Sequence, residues 1–266
     1  MTLIVGILCS DGVVVASDSA ATFGAGGRPT IGQQIVRKVH RLNDHLLFSS
    51  TGAVGMAQLL ADKVGTLWNN GTLSGSKCPT PESAMDCIGK EIVNLVGPYL
   101  QTAKLQHEIT GDASSSLCKS LVALPVGKVP CLFNFDYNGA PERSTAELPF
   151  ISMGSGQPIA DPFLALLHRL LWKGAEPTVA EGRLAAVWTI EHVSQTNPGG
   201  VGGAVQLATL SLTSGKLPSV TIVSDKDVDE HRQKVTAAEH ALITELRGGL
   251  GPSPAPTVPT VPPKEA

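Results

Sequence analysis

The sequence predicts an α+β chain in which two antiparallel sheets lie face to face between helical layers. Two observations carry this. The order of periodicities along the chain is strands, two helices, strands, two helices, strands, and then a last helix. A hydrophobic share of 42% over 266 residues is enough to fill a sizeable core.

Each element follows from local pattern. Thr2–Cys9 is an apolar, β-branched strand, and Asp11-Gly12 reads as a hairpin turn into Val13–Asp18. Antiparallel pairing across so tight a turn returns Asp18 to the start of the chain. Gly24–Pro29 reads as an irregular, glycine-rich stretch. Ile35–Leu42 alternates as one strand with Val36, Lys38 and His40 on a single face. A strand from Leu46 ends at Gly52, and a helix runs from Ala53 to Trp68. Thr80-Pro81-Glu82 opens a second helix, reaching about Gln106, with Thr80 as cap and Pro81 in the first turn. Leu117–Val126, Val129–Phe135 and Leu148–Met153 read as strands, and Pro162–Trp172 as a helix. Thr178-Val179-Ala180-Glu181 is a capping box for a helix to about Ser194. Val205–Leu212 and Ser219–Val223 are strands, and Asp227–Leu246 is the last helix.

Past Arg247 the composition turns to Gly, Pro, Thr and Val. Such a segment buries too little apolar surface to offset its ordering entropy. The expected organisation is one domain over residues 1–247 and a disordered, Pro-rich tail over 248–266.

Composition narrows the function. A net charge of -3 without a Lys/Arg cluster gives no footprint for nucleic acid or an anionic membrane surface. No apolar run approaches the roughly 18 residues of a membrane span. The first residues lack the basic-then-apolar layout of a secretory signal, so the expected compartment is the cytoplasm. The five cysteines are scattered without a Cys-x-x-Cys pair, which suits a reducing compartment. The histidines show no metal-ligand spacing, so neither metal nor cofactor is expected. There is no GxGxxG or Walker A pattern, so any nucleotide-driven step belongs to another protein, an ATPase or other activator that the sequence does not specify.

Thr2 carries the chemistry. With Met1 trimmed, one residue bears both a hydroxyl nucleophile and a free α-amine. An amine with a pKa of about 7.7–8.0 can serve as base for its own hydroxyl. The pattern Thr2…Ser17-Asp18-Ser19…Lys38-Val39-His40-Arg41-Leu42…Ser50-Thr51-Gly52-Ala53-Val54-Gly55 resembles a proteasome β subunit of the N-terminal-nucleophile hydrolases. From Lys38 to Gln58 the register matches that family's motif without a gap. Ser152-Met153-Gly154-Ser155-Gly156 is similar to its Gly-Ser-Gly turn before a helix. The start directly after Met1 resembles HslV-type bacterial proteases. The Met-Thr-x-Ile-Val-Gly-Ile opening looks most like the bacterial proteasome homologue (BPH) group.

The resemblance implies a four-layer αββα sandwich and a threonine endopeptidase that cuts unfolded polypeptide inside a homo-oligomer, a tetradecamer of two stacked heptameric rings. It implies Thr2 as nucleophile, Lys38 as the nearby cation, and Asp18 as the carboxylate that holds the lysine. Gly52 would present its N–H to the oxyanion, and Ser155 would bond near the amine. Thr22 would bind substrate backbone, and Val36, His40, Ser50 and Val54 would line the pocket for the residue before the cut. The sequence departs from the family at Pro198–Gly203, where Asp-x-x-Ser-Gly-Gly is expected and neither the aspartate nor the serine is present; Asn197 is a partial substitute for them, and the glycines read as a pliable loop. The insert around Gly24–Gln33 is also longer than in the family. Two other readings stay open: an amidohydrolase of the same nucleophile class acting on small amides, and a ring-forming scaffold with little or no peptidase activity.

Overall fold

The computed structural model describes residues 2–25, 28–74, 77–111, 117–173, 175–197, 200–212 and 216–249. Of the tail predicted over 248–266, Gly248 and Gly249 instead close the last helix, because a Gly-Gly pair can continue a helical end, and the rest lies outside the described residues. Strands β1 (Leu3–Cys9) and β2 (Gly12–Ser17) form the predicted hairpin, with Cys9 opposite Gly12. They sit at the centre of a five-stranded antiparallel sheet together with β10 (Phe150–Gly154), β11 (Gln206–Ser211) and β12 (Ser219–Ile222), in the order β10-β1-β2-β11-β12. A second five-stranded sheet runs β5 (Val39–Asn43), β6 (Leu46–Gly52), β7 (Cys118–Val126), β8 (Val129–Phe135) and β9 (Pro141–Arg143) in chain order.

Strand alternation sorts the core into three layers. Ile4, Val13, Val15, Leu47, Leu121 and Leu132 meet between the sheets. Leu3, Val5, Ile7, Val14 and Ala16 face the other way, onto α3 (Gln157–Leu167) and α4 (Val179–Thr196). Leu46, Phe48, Val122, Phe133 and Phe135 pack under α1 (Val54–Asn69) and α2 (Pro81–Thr110). Helix α5 (Asp225–Gly249) lies against α4, where Trp188 Nε1 donates to Glu239 at 2.8 Å. The result is the αββα sandwich expected from the sequence.

Several local readings change. The predicted strand Ile35–Leu42 is broken: its first residue closes β4 (Arg28–Ile35), residues 36–38 lie in no strand, and β5 starts at Val39. Of the stretch read as irregular, Gly24, Ala25, Arg28 and Pro29 belong to a two-stranded pairing of β4 with β3 (Ala20–Ala25), outside the ladders of both main sheets. Glycine content hid the pairing, because Gly24 and the glycines after it break any alternation of apolar residues along these strands. Strand β9 is too short to leave a pattern. Helix α3 starts five residues before Pro162, so that proline lies inside the helix and forfeits one backbone bond there. The helix then relaxes into a π-turn over His168–Trp172. The capping boxes at Thr80, with Ser83, and at Thr178, with Glu181, are both formed.

Candidate active site

β1 is an inner strand of its sheet, flanked by β10 and β2, so the residue just before it is held by two neighbours. Leu3 pairs with Gly154 on one side, and Ile4 with Ser17 on the other. The turn Gly154-Ser155-Gly156 wraps Thr2. The main-chain nitrogen of Thr2 donates to Ser155 Oγ at 3.0 Å, and the Gly156 N–H donates to the Thr2 carbonyl at 3.2 Å. Gly154 has φ +103°, and a Cβ there would sit 2.2 Å from the Thr2 carbonyl oxygen, so only glycine fits this close approach. Ser155 does not cap α3, whose N-cap is Gly156 without a side-chain bond. Its hydroxyl is turned toward Thr2.

Asp18 follows directly on β2, and the hairpin returns it to Leu3 as the sequence implied. Its Oδ1 accepts the Leu3 N–H at 2.9 Å and Lys38 Nζ at 2.7 Å. Lys38 also donates to the Ala20 carbonyl at 2.6 Å. Both side chains are buried. Burial holds the Lys38 ammonium below the usual lysine range, and its bond to Asp18 and the carboxylate charge work against that fall. Thr2, Ser155, Asp18 and Lys38 are therefore brought together.

Gly52 ends β6 with φ +118°, where a Cβ would meet the Leu117 carbonyl at 2.2 Å. It leads into α1, whose N-cap Ala53 makes no side-chain cap bond, and the positive end of the helix dipole lies just after Gly52. The pocket residues divide. His40 pairs with Phe48 and Ser50 with Ser120, which puts both on the α1 face of the second sheet. Burial, and then the Arg37 charge, hold His40 below the usual imidazole value, so it is neutral at pH 7. Burial pushes the Cys118 thiol up to about 12, and the neighbouring Ser50 hydroxyl works against that rise. Val54 is exposed at the first turn of α1. Val36 does not share a strand face with His40; its N–H donates to the Ser19 carbonyl at 2.9 Å. The Thr22 side chain lies outside the described residues.

The sequence reading missed Gly202. Its N–H donates to Asp18 Oδ2 at 3.2 Å, and its carbonyl accepts from Ser19 at 3.2 Å and Ala20 at 2.9 Å. Val201 beside it is buried in the core. The run read as pliable is therefore anchored from Val201 to Gly203, and backbone takes up the carboxylate where a side chain was looked for. Gly203, at φ +78°, would clash with Ser19 Oγ if it carried a Cβ. The paired glycines after a capped helix were the available signal.

Among the described residues, no group of three or more His, Cys, Asp or Glu is placed to hold a metal, and no helix is long and apolar enough to cross a membrane.

Comparison with known proteins places the chain in a family. The proteasome subunit family matches residues 2–169. The proteasome subunit beta of Methanococcus vannielii is 26% identical over 238 residues, covering 88% of this chain and 92% of its own. That of Ferroglobus placidus is 26% identical over 159 residues, and the match spans 60% of this chain and 65% of the relative. Among solved structures, Anbu (ancestral beta-subunit) from Yersinia bercovieri aligns with a TM-score of 0.64 at 15% identity over 92% of this chain and 96% of its own. The Anbu complex of Pseudomonas aeruginosa, described as a helical assembly, aligns at 0.64 with 19% identity, over 91% and 96%. These structures share the fold, and the family match covers well over half of the chain. The chain belongs to the proteasome subunit family.

Proposed function

We propose that this chain is the subunit of a threonine-type N-terminal-nucleophile peptidase, acting on polypeptide through Thr2. The observation that carries this reading is the Thr2 nitrogen on Ser155 Oγ, one residue from the Leu3 N–H that shares Asp18 Oδ1 with Lys38. Removal of Met1 turns that nitrogen into the α-amine, already beside a hydroxyl that can relay its proton. The amine takes the proton of Thr2 Oγ1 as the oxygen attacks the scissile carbonyl. The Lys38 cation lowers the amine pKa and favours the developing alkoxide. The Gly52 N–H receives the oxyanion, a contact typically worth about 2.7–4 kcal/mol in the transition state. The leaving amine departs with the shuttled proton, and water then hydrolyses the acyl-threonine ester. Thr22 holds substrate backbone, and Val36, His40, Ser50 and Val54 surround the side chain before the cut.

The proposed working form is a cytoplasmic homo-oligomer of two stacked seven-membered rings with the Thr2 sites inside, fed with unfolded polypeptide. Its folded domain is the expected span of residues 1–247 extended by Gly248 and Gly249 at the end of α5, and the Pro-rich remainder is its tail. The alternative of a ring with little peptidase activity draws on the absent aspartate and serine near Pro198–Gly203. Reaction with an electrophilic threonine-peptidase inhibitor, followed by mass mapping, tests the choice. An adduct on an N-terminal Thr2 supports the peptidase. A native oligomer that forms no adduct and cleaves no peptide from a fluorogenic panel would leave the scaffold reading.

A further inference from the structure

Lys38 stands outside the strand ladders, since β4 ends at Ile35 and β5 begins at Val39. A buried backbone needs partners wherever its ladder stops. Here two side chains supply them, one from each main sheet. Gln206 opens β11 in the first sheet. Its Oε1 accepts the Lys38 N–H at 2.8 Å and the Val39 N–H at 3.2 Å, while Nε2 donates to the Val36 carbonyl at 2.5 Å. Only one orientation of the amide satisfies two N–H donors and a carbonyl together. From the second sheet, the fully buried Ser49 of β6 donates to the Lys38 carbonyl at 2.6 Å. Gln206 points between the sheets because it pairs with Ser17, which pairs in turn with the inter-sheet residue Ile4.

We propose that Gln206 and Ser49 are positioning residues for Lys38, a bracket that replaces the missing ladder and fixes the main chain from which the lysine reaches Asp18. This rests on the reading of Thr2 and Lys38 as one catalytic centre. The bracket holds the Lys38 backbone from both sides, so the side chain starts from a fixed point within reach of Asp18 and the Ala20 carbonyl. With the bracket cut, residues 36–38 shift, the ammonium spends less time at Asp18, and its electrostatic effect on the Thr2 amine weakens.

The test uses the full-length oligomer and a peptide β-lactone, which acylates a hydroxyl nucleophile. Its rate of reaction at Thr2 is followed across about pH 6 to pH 10, spanning the amine and lysine ranges. Only the neutral amine acts as base, so the acid limb follows the amine pKa. Gln206→Met should slow the reaction about tenfold near neutrality, as the loss of hydrogen bonds to one positioning group allows. It should also move the acid limb to higher pH. Ser49→Ala should act in the same direction, by about threefold. A purely structural role would lower the melting temperature or the rate and leave the limb in place, which would overturn the proposal. If Gln206→Met does not assemble, the limb of Ser49→Ala decides the matter. A moved limb in Gln206→Met with an unmoved one in Ser49→Ala would remove Ser49 from the bracket and keep Gln206. Wild-type chain that forms no Thr2 adduct would sink the peptidase reading and the bracket with it. Wild-type that reacts while both variants keep its limb would sink the bracket alone.

Discussion

Asp18 Oδ1 and Lys38 Nζ lie 2.7 Å apart, with 0% of the aspartate side chain and 6% of the lysine open to solvent. The pair joins the end of β2 to the segment before β5, so it ties the two sheets at the edge where Thr2 emerges. The same carboxylate oxygen takes the Leu3 N–H, which makes the nucleophile's neighbour part of the ion pair's hydrogen-bonding. Removing one partner of a buried pair leaves a desolvated charge behind. Lys38→Ala should therefore cost about 3 kcal/mol of stability as well as most of the hydrolysis. Thermal melting of the variant oligomer, alongside a peptide assay, measures both. An unchanged melting temperature would mean that the two groups do not pair in solution.

The pH profile gives a second check. Burial lowers the Lys38 pKa from its ordinary value, while Asp18 raises it. The cation is the active form, so activity should fall on the alkaline side below the usual lysine value of about 10.4. Asp18→Asn removes the raising charge, so the lysine should lose its proton more easily and the alkaline limb should move to lower pH. Steady-state kcat/KM across the alkaline range reads this. A limb that stays still or moves up contradicts the assignment of the cation.

Ser155→Ala removes the acceptor of the Thr2 nitrogen without touching the nucleophile. Turnover should drop about 10² -fold, within the usual range for a lost proton-transfer partner. The electrophile should still label Thr2, only more slowly. Thr2→Ala should abolish both turnover and labelling, and adding Lys38→Ala to it should make no further difference to activity. Equal turnover in Ser155→Ala and wild type would return Ser155 to a purely local turn role.

Gly154→Ala tests the backbone side of the site. The new Cβ meets the Thr2 carbonyl oxygen at 2.2 Å in a left-handed conformation, so Thr2 must move. Strain of this kind costs about 1–3 kcal/mol, so the fold should persist while inhibitor labelling is lost. Circular dichroism and adduct mass together separate these outcomes. Full labelling would show that Thr2 has more room than its contacts indicate.

Intact mass of purified, active protein should begin at Thr2, because the base is a free amine on the nucleophile itself. Active material that retains Met1 would refute the mechanism. Light scattering at micromolar concentration should give at least twelve copies, as closed heterologous contacts produce. A monomer under those conditions excludes the chamber.

Much of this was legible in order and spacing. The Asp11-Gly12 turn and the β-branched runs on either side determine that Asp18 returns to Thr2, because a tight hairpin leaves no other register with both faces buried. The alternation of Leu3, Val5 and Ile7 against Ile4 determines that β1 is covered on both faces, which forces a layered sandwich. The capping residues Thr80 and Thr178 mark their helices by local hydrogen bonding alone. What only the tertiary structure decided involves groups far apart in sequence. Gly202 meets Asp18 across 184 positions, and Gln206 meets Lys38 across 168. Neither contact leaves a periodic trace, because each is made by a single residue to the backbone or side chain of another element. The break at residues 36–38 was hidden for the same reason. Alternating residue types look like a strand whether the ladder or a side chain satisfies the backbone, and only the folded chain shows that Gln206 and Ser49 took the ladder's place.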